Sequence, residues 1–166
     1  MKKILLLILV GLLMTGCSAA DTFETLGQIQ HQQDALPTMS SVQLSLPETA
    51  AEQTFGGGSD TVYECAGYTL VLQTLAAGDF SRTVRTISGF SPEKLTVMES
   101  TMEQGRRYDW VWTAAGESGD LVCRASVLDD GNYHYCIYTL APAASAGTLA
   151  QEWNTLFSSF CLGESA

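Results

Sequence analysis

The sequence predicts an α+β domain: an antiparallel sheet of about six strands with a C-terminal amphipathic helix packed on one face. Three observations carry this. From Arg106 to Leu140 apolar and polar residues alternate, and the alternation is broken at Gly116-Glu117-Ser118-Gly119-Asp120 and at Asp129-Asp130-Gly131-Asn132, the pattern of three antiparallel strands. Shorter alternating runs precede this block. After Pro142 the period changes to 3.6, with Ala146, Leu149, Ala150, Trp153, Leu156, Phe157 and Phe160 on one side and Gln151, Glu152, Asn154, Thr155, Ser158 and Ser159 on the other.

The elements follow in chain order. Ser18 to about Thr38 is polar and glutamine-rich and reads as a tether, in which His31 is a solvated linker residue. Val42, Leu44 and Leu46 alternate with Gln43 and Ser45 as a half-buried strand ended by Pro47. Glu48–Gln53 suits a short helical turn behind that proline. Gly56-Gly57-Gly58 reads as a loop, since neither the Lys-Ser/Thr of a phosphate loop nor a dinucleotide-binding spacing accompanies it. Tyr63 to Leu75 reads as one long strand, with a turn at Ala77-Gly78-Asp79. Arg82–Ile87 reads as a more polar strand, near an edge or with one face in water. Ser91-Pro92-Glu93 starts a short helix, and Leu95–Met98 resumes a strand before the turn at Gln104-Gly105. For the closing helix, Ser145 is the expected N-cap and Gly163 the expected stop.

Composition restricts function. Residues 1–16 hold two of the eight basic residues and none of the eighteen acidic ones, so without them six bases face eighteen acids and the net charge is −12. Such a surface repels phosphate backbones, which excludes nucleic acid as an expected partner. Among the five cysteines, Cys65, Cys123, Cys136 and Cys161 allow three pairings. A Cys123–Cys136 bridge across the hairpin would leave Cys65 for Cys161; four free thiols would fill the same positions as small apolar groups. Counting out from Asp130-Gly131 places Cys123 opposite Tyr138 and Cys136 opposite Ala125.

Chemistry-bearing residues are sparse. With two histidines and no H-x-x-x-H or C-x-x-C spacing, neither a metal nor another cofactor is expected. Tyr108, Trp110 and Trp112 project from one face of one strand. They offer a surface for sugars or peptides, or else form the sheet core on which Trp153 and Phe157 dock. Asp129-Asp130-Gly131-Asn132 is too compact for a calcium loop and reads as a turn. Glu117, Asp120 and His134 would serve a small hydrolase or carbohydrate-active enzyme only if they converged with the aromatic ladder on an open cleft.

The first residues carry the most specific signal. Lys2 and Lys3 precede an apolar run from Ile4 to Met14, far short of the roughly 20 residues a membrane-spanning helix needs. Met14-Thr15-Gly16-Cys17 then resembles the lipobox of bacterial lipoproteins, with methionine where leucine is more usual. The resemblance implies a signal peptide over 1–16 and lipidation of Cys17; composition and length then give a tether over 17–38 and a single domain over 39–163. The resemblance also implies the extracytoplasmic face of the cell membrane, reached through the lipid on Cys17.

Leu44-Ser45-Leu46-Pro47-Glu48, the Ser88-Gly89-Phe90 turn and Trp153 to Phe160 resemble the Mog1/PsbP-like domains, an antiparallel sheet flanked by helices as an α/β/α sandwich. The central block is similar to that of small lipoproteins of Gram-positive anaerobes. Together these resemblances imply a non-catalytic binding or accessory domain and carry over no site residue; the ligand, protein or small molecule, stays open.

Overall fold

A computed structural model of the chain describes residues 37–53 and 60–163. Cys17, the tether up to residue 36 and Gly56-Gly57-Gly58 lie outside the described residues. Seven strands form one antiparallel sheet: β2 (Ala51–Gln53), β3 (Thr61–Cys65), β4 (Tyr68–Ala76), β5 (Met98–Met102), β6 (Gly105–Gly116), β7 (Gly119–Asp129) and β8 (Tyr133–Pro142). Their spatial order is β2-β3-β4-β8-β7-β6-β5. A separate two-stranded ribbon pairs β1 (Val42–Gln43) with β9 (Cys161–Leu162). The helices are α1 (Phe80–Ser88), α2 (Ala143–Ala146) and α3 (Ala150–Ser159), with 3-10 turns at Pro92–Lys94 and Gly147–Leu149.

The central block folds as expected, into β6, β7 and β8. Other segments differ from the sequence expectation, each for an identifiable reason. Arg82–Ile87 is not a strand but most of α1. Asp79 caps it by accepting the Ser81 N–H at 3.0 Å, and Gly89 ends it in the left-handed conformation, with Phe80, Val84 and Ile87 at helical spacing. The β-branched residues suggested extended chain, yet a cap at each end and an apolar stripe decide for helix. Tyr63–Leu75 is a hairpin, because Gly67 takes φ +89° and turns the chain between Cys65 and Tyr68. Glu48–Gln53 makes only a turn, with the Ala50 N–H on Pro47 O, before entering β2. The leading strand is short: Leu44 packs on the core, whereas Leu46 is 41% exposed.

The helical run that leads through α2 into α3 starts at Ala143, earlier than a Ser145 cap would allow. Ser145 lies inside α2 and donates its hydroxyl to Pro142 O. At the other end Phe160 is already extended, and β9 follows. Gly163 is therefore no helix stop; a side chain there would collide with Ser41 Oγ, and its N–H donates to Ser41 O at 2.8 Å. Ser45 N–H adds a bond to Ser159 Oγ at 2.9 Å.

The sheet carries a helix on each face. On one, Trp153, Leu156, Phe157 and Phe160 of the C-terminal segment pack on Tyr68, Leu70, Leu128, Tyr135 and Ile137. Fully burying each such side chain contributes roughly 1.5–3 kcal/mol. On the other, Val84, Phe80 and Ile87 of α1 pack on Tyr108, Trp110, Trp112, Val127 and Cys136. Strands β7 and β8 are thus covered on both sides, and their buried residues run nearly continuously instead of alternating.

Candidate functional site

The aromatic ladder is core. Tyr108, Trp110 and Trp112 are 8%, 1% and 7% exposed, so they are not the open binding surface considered from sequence. Nor do they receive the C-terminal helix. Phe80 of α1 stacks on Tyr108 at 3.9 Å between centroids and meets Trp110 edge-on at 6.1 Å, while Trp153 and Phe157 lie in the opposite cluster. The alternation showed that the three rings share a face, but not which helix covers it.

The candidate catalytic residues do not converge. Glu117 and Asp120 are exposed at the β6–β7 turn. His134 pairs with Asp129 at the far end of β7, nine positions from Asp120 and roughly 30 Å along a strand. It is 1% exposed, hydrogen-bonded through Nδ1 to Thr83 Oγ1 at 2.7 Å, with Nε2 3.7 Å from Asp129 Oδ2 and Phe80 edge-on to its ring. A hydroxyl, an imidazole and a carboxylate in line suggest a nucleophile relay, but Thr83 is itself buried at 4% and its oxygen is engaged by the ring. The trio fastens α1 to the β7–β8 hairpin.

Asp129 and Asp130 serve the turn. Asp129 Oδ1 accepts the Gly131 N–H, and Asp130 Oδ1 accepts those of Asn132 and Tyr133 at 2.8 and 2.7 Å. Asp130 Oδ2 accepts the hydroxyls of Tyr135 and Ser40, and Tyr135 accepts the Ser40 N–H, which fixes the leading segment to the sheet. Burial works against the Asp130 charge, but these backbone and hydroxyl donors outweigh it and hold the carboxyl below its ordinary range.

All four described cysteines are free. The register sets Cys123 opposite Leu140 and Cys136 opposite Val127, two positions further out than counted from the turn, so the Cys123–Cys136 bridge does not form. Burial pushes the Cys123 thiol up to about 11 and the Cys136 thiol to about 12, which leaves both neutral and inert. Cys65 is half-buried and Cys161 exposed, and no bridge joins them.

An open strand edge among the described residues was not singled out from sequence. Strand β5 ends at Met98, opposite Asp109, so β6 from Trp110 to Gly116 has no strand on its outer side among the described residues. Two grooves, of about 670 and 600 Å³, lie along this edge and share Thr96 and Val111 in their walls. The first runs to the end of α3. There Arg107 makes a bidentate pair with Asp109 at 2.8 and 3.2 Å and donates to Phe157 O and Phe160 O at 2.8 and 3.1 Å, closing the helix C-terminus. Arg124 stacks 4.3 Å above the Phe157 ring and donates to Asn154 Oδ1 at 2.9 Å. Burial draws its guanidinium below the ordinary value, though it stays charged at any physiological pH. The second groove is lined by Phe90, Lys94, Leu95 and Val122. Met98 and Val111 are 65% and 62% exposed here. The signal missed was the stretch Trp110–Gly116, seven strand residues without a charge or a proline.

No protein-family model matches the chain, and no curated protein matches it. Solved structures do. Cyanobacterial PsbP (CyanoP) from Synechocystis sp. PCC 6803 is 12% identical and superposes with a TM-score of 0.55 over 76% of this chain and 95% of its own. The Ran-binding protein Mog1p of Saccharomyces cerevisiae is 13% identical, with a TM-score of 0.51 over 73% and 89%. LpqN, involved in cell envelope biogenesis of Mycobacterium tuberculosis, is 12% identical, with a TM-score of 0.50 over 80% and 88%. At these identities the likeness concerns the fold alone: an antiparallel sheet closed by a C-terminal helix, arranged as in the Mog1/PsbP-like domains.

Proposed function

We propose that this chain is a lipid-anchored extracytoplasmic protein whose Mog1/PsbP-like domain acts as a non-catalytic binding or accessory module. The observation that carries the proposal is Met14-Thr15-Gly16-Cys17 at the end of an eleven-residue apolar run. Each buried acyl CH₂ contributes roughly 0.8 kcal/mol, and stable anchoring takes more than one chain; a diacylglyceryl thioether on Cys17 supplies two. The domain supports the non-catalytic reading in that Glu117, Asp120 and His134 stand apart and the aromatic ladder is buried. The fold is also that of LpqN, involved in cell envelope biogenesis, and of Mog1p, a Ran-binding protein.

Expression of the full chain and of Cys17→Ser in a bacterial host, followed by fractionation and labelling with a palmitate analogue, tests the anchor. The native chain should be labelled and sediment with membranes, and the variant should be unlabelled and soluble. Membrane retention of the unlabelled variant would overturn the proposal.

A further inference from the structure

We infer that the open edge of β6 is a docking site for an extended peptide segment of a partner that carries carboxylates. The inference deepens the binding-module reading and rests on it, but not on the lipid anchor. Glu103-Gln104 and Glu117-Ser118 are two-residue turns, flanked by the pairs Met102↔Gly105 and Gly116↔Gly119. The pair flanking such a turn is hydrogen-bonded, and the pattern alternates from there. Even-numbered residues of β6 therefore bond to β7, and odd-numbered ones point outward. Gly105, Arg107 and Asp109 meet β5. Val111, Thr113 and Ala115 direct their N–H and C=O groups to the open edge, a span of about 14 Å.

Edges left open are usually blunted by charge, proline or shortness. The opposite edge strand, β2, is three residues long and carries Glu52, and β5 carries Glu99. The open half of β6 has none of these devices, and its exposed side chains Val111 and Thr113 lie beside the two grooves. This is the geometry of strand addition, in which the backbone supplies affinity and flanking grooves take alternate side chains.

Charge selects the occupant. Of the six basic residues beyond residue 16, Lys94, Arg107 and Arg124 line the grooves, whereas among the described residues Asp109 is their one acidic residue and is bound to Arg107. An otherwise acidic chain thus places three of those six cations, one of them neutralised by Asp109, at its open edge. A second copy would bring these cations against each other, and a small anion would make no use of the strand edge. A segment of about five residues, with apolar and acidic side chains alternating, satisfies both features.

The test is hydrogen-exchange mass spectrometry on the full chain in non-ionic detergent, with an end-capped heptapeptide alternating valine and glutamate and its lysine-for-glutamate counterpart. The acidic peptide should slow exchange across Val111–Ala115, and the lysine peptide should not. Lys94→Glu, at an exposed position, should weaken the acidic peptide by about three- to fivefold, the effect of a rim charge. Thr113→Pro, which removes an outward N–H, should abolish protection; should that variant not fold, Lys94→Glu still decides. Equal protection by both peptides, or none at Val111–Ala115, would overturn the inference. So would protection that rises with protein concentration alone, which would assign the edge to a second copy.

Discussion

The two faces of the sheet are closed in different ways. On the α3 face, helix and sheet meet through aliphatic and aromatic side chains, and the helix end is tied down by a charged pair, Arg107 and Asp109. On the α1 face a nine-residue helix covers a row of large rings and is pinned through the Thr83–His134 hydrogen bond. The first cover depends on area and a polar terminal clamp, the second on ring stacking and a buried polar contact. Both faces are core, and the unpaired strand backbone of β6 lies at the edge between them.

The largest expected effect would expose any inequality between the faces. Phe157→Ala and Trp110→Ala should each cost roughly 3–5 kcal/mol in urea unfolding. A Trp110→Ala cost below about 1 kcal/mol would show that the α1 face is not core. Next in size is the clamp. Arg107→Met strands the Asp109 carboxylate, whose side chain is 16% exposed, and uncaps two carbonyls, at about 2–3 kcal/mol. Adding Asp109→Leu should recover most of the loss; a double variant no better than the single would mean that the carbonyl caps, not the charge pair, secure α3. The smallest effect concerns Asp130, which ties Ser40 to the α3 face. Its folded carboxyl is held below the ordinary range, so its contribution is fully present above the unfolded value and disappears as pH falls through the folded one. The stability gap between the native chain and Asp130→Asn should be widest near neutral pH and close below about pH 4. A gap that widened on acidification would reverse the assigned sign.

Much of the fold was legible where local pattern and tertiary burial agree. The alternation in β6 and the 3.6 period of Trp153, Leu156, Phe157 and Phe160 each reflect one buried face. Segment α1 was misread because Thr83, Val84, Thr86 and Ile87 favour extended chain locally, although Asp79, Gly89 and the Phe80–Val84–Ile87 spacing already encoded a helix. Ala66-Gly67 was hidden within a continuous alternating run. The open edge was illegible for another reason: it exists because β5 stops at Met98 while β6 continues to Gly116, a mismatch in length between strands that no single segment records.

The β1–β9 ribbon has a mechanical consequence. Ser41 and Gly163 meet at the end of the ribbon where the chain enters β1, so a pull from the N-terminal side, once it has broken the Ser40 bonds to Tyr135 and Asp130, opens the pair one residue at a time, the weak unzipping geometry, before it reaches β2. Release of residues 38–47 would let out about 33 Å of slack. The ribbon then works as a fuse, yielding under load while the larger sheet stays intact.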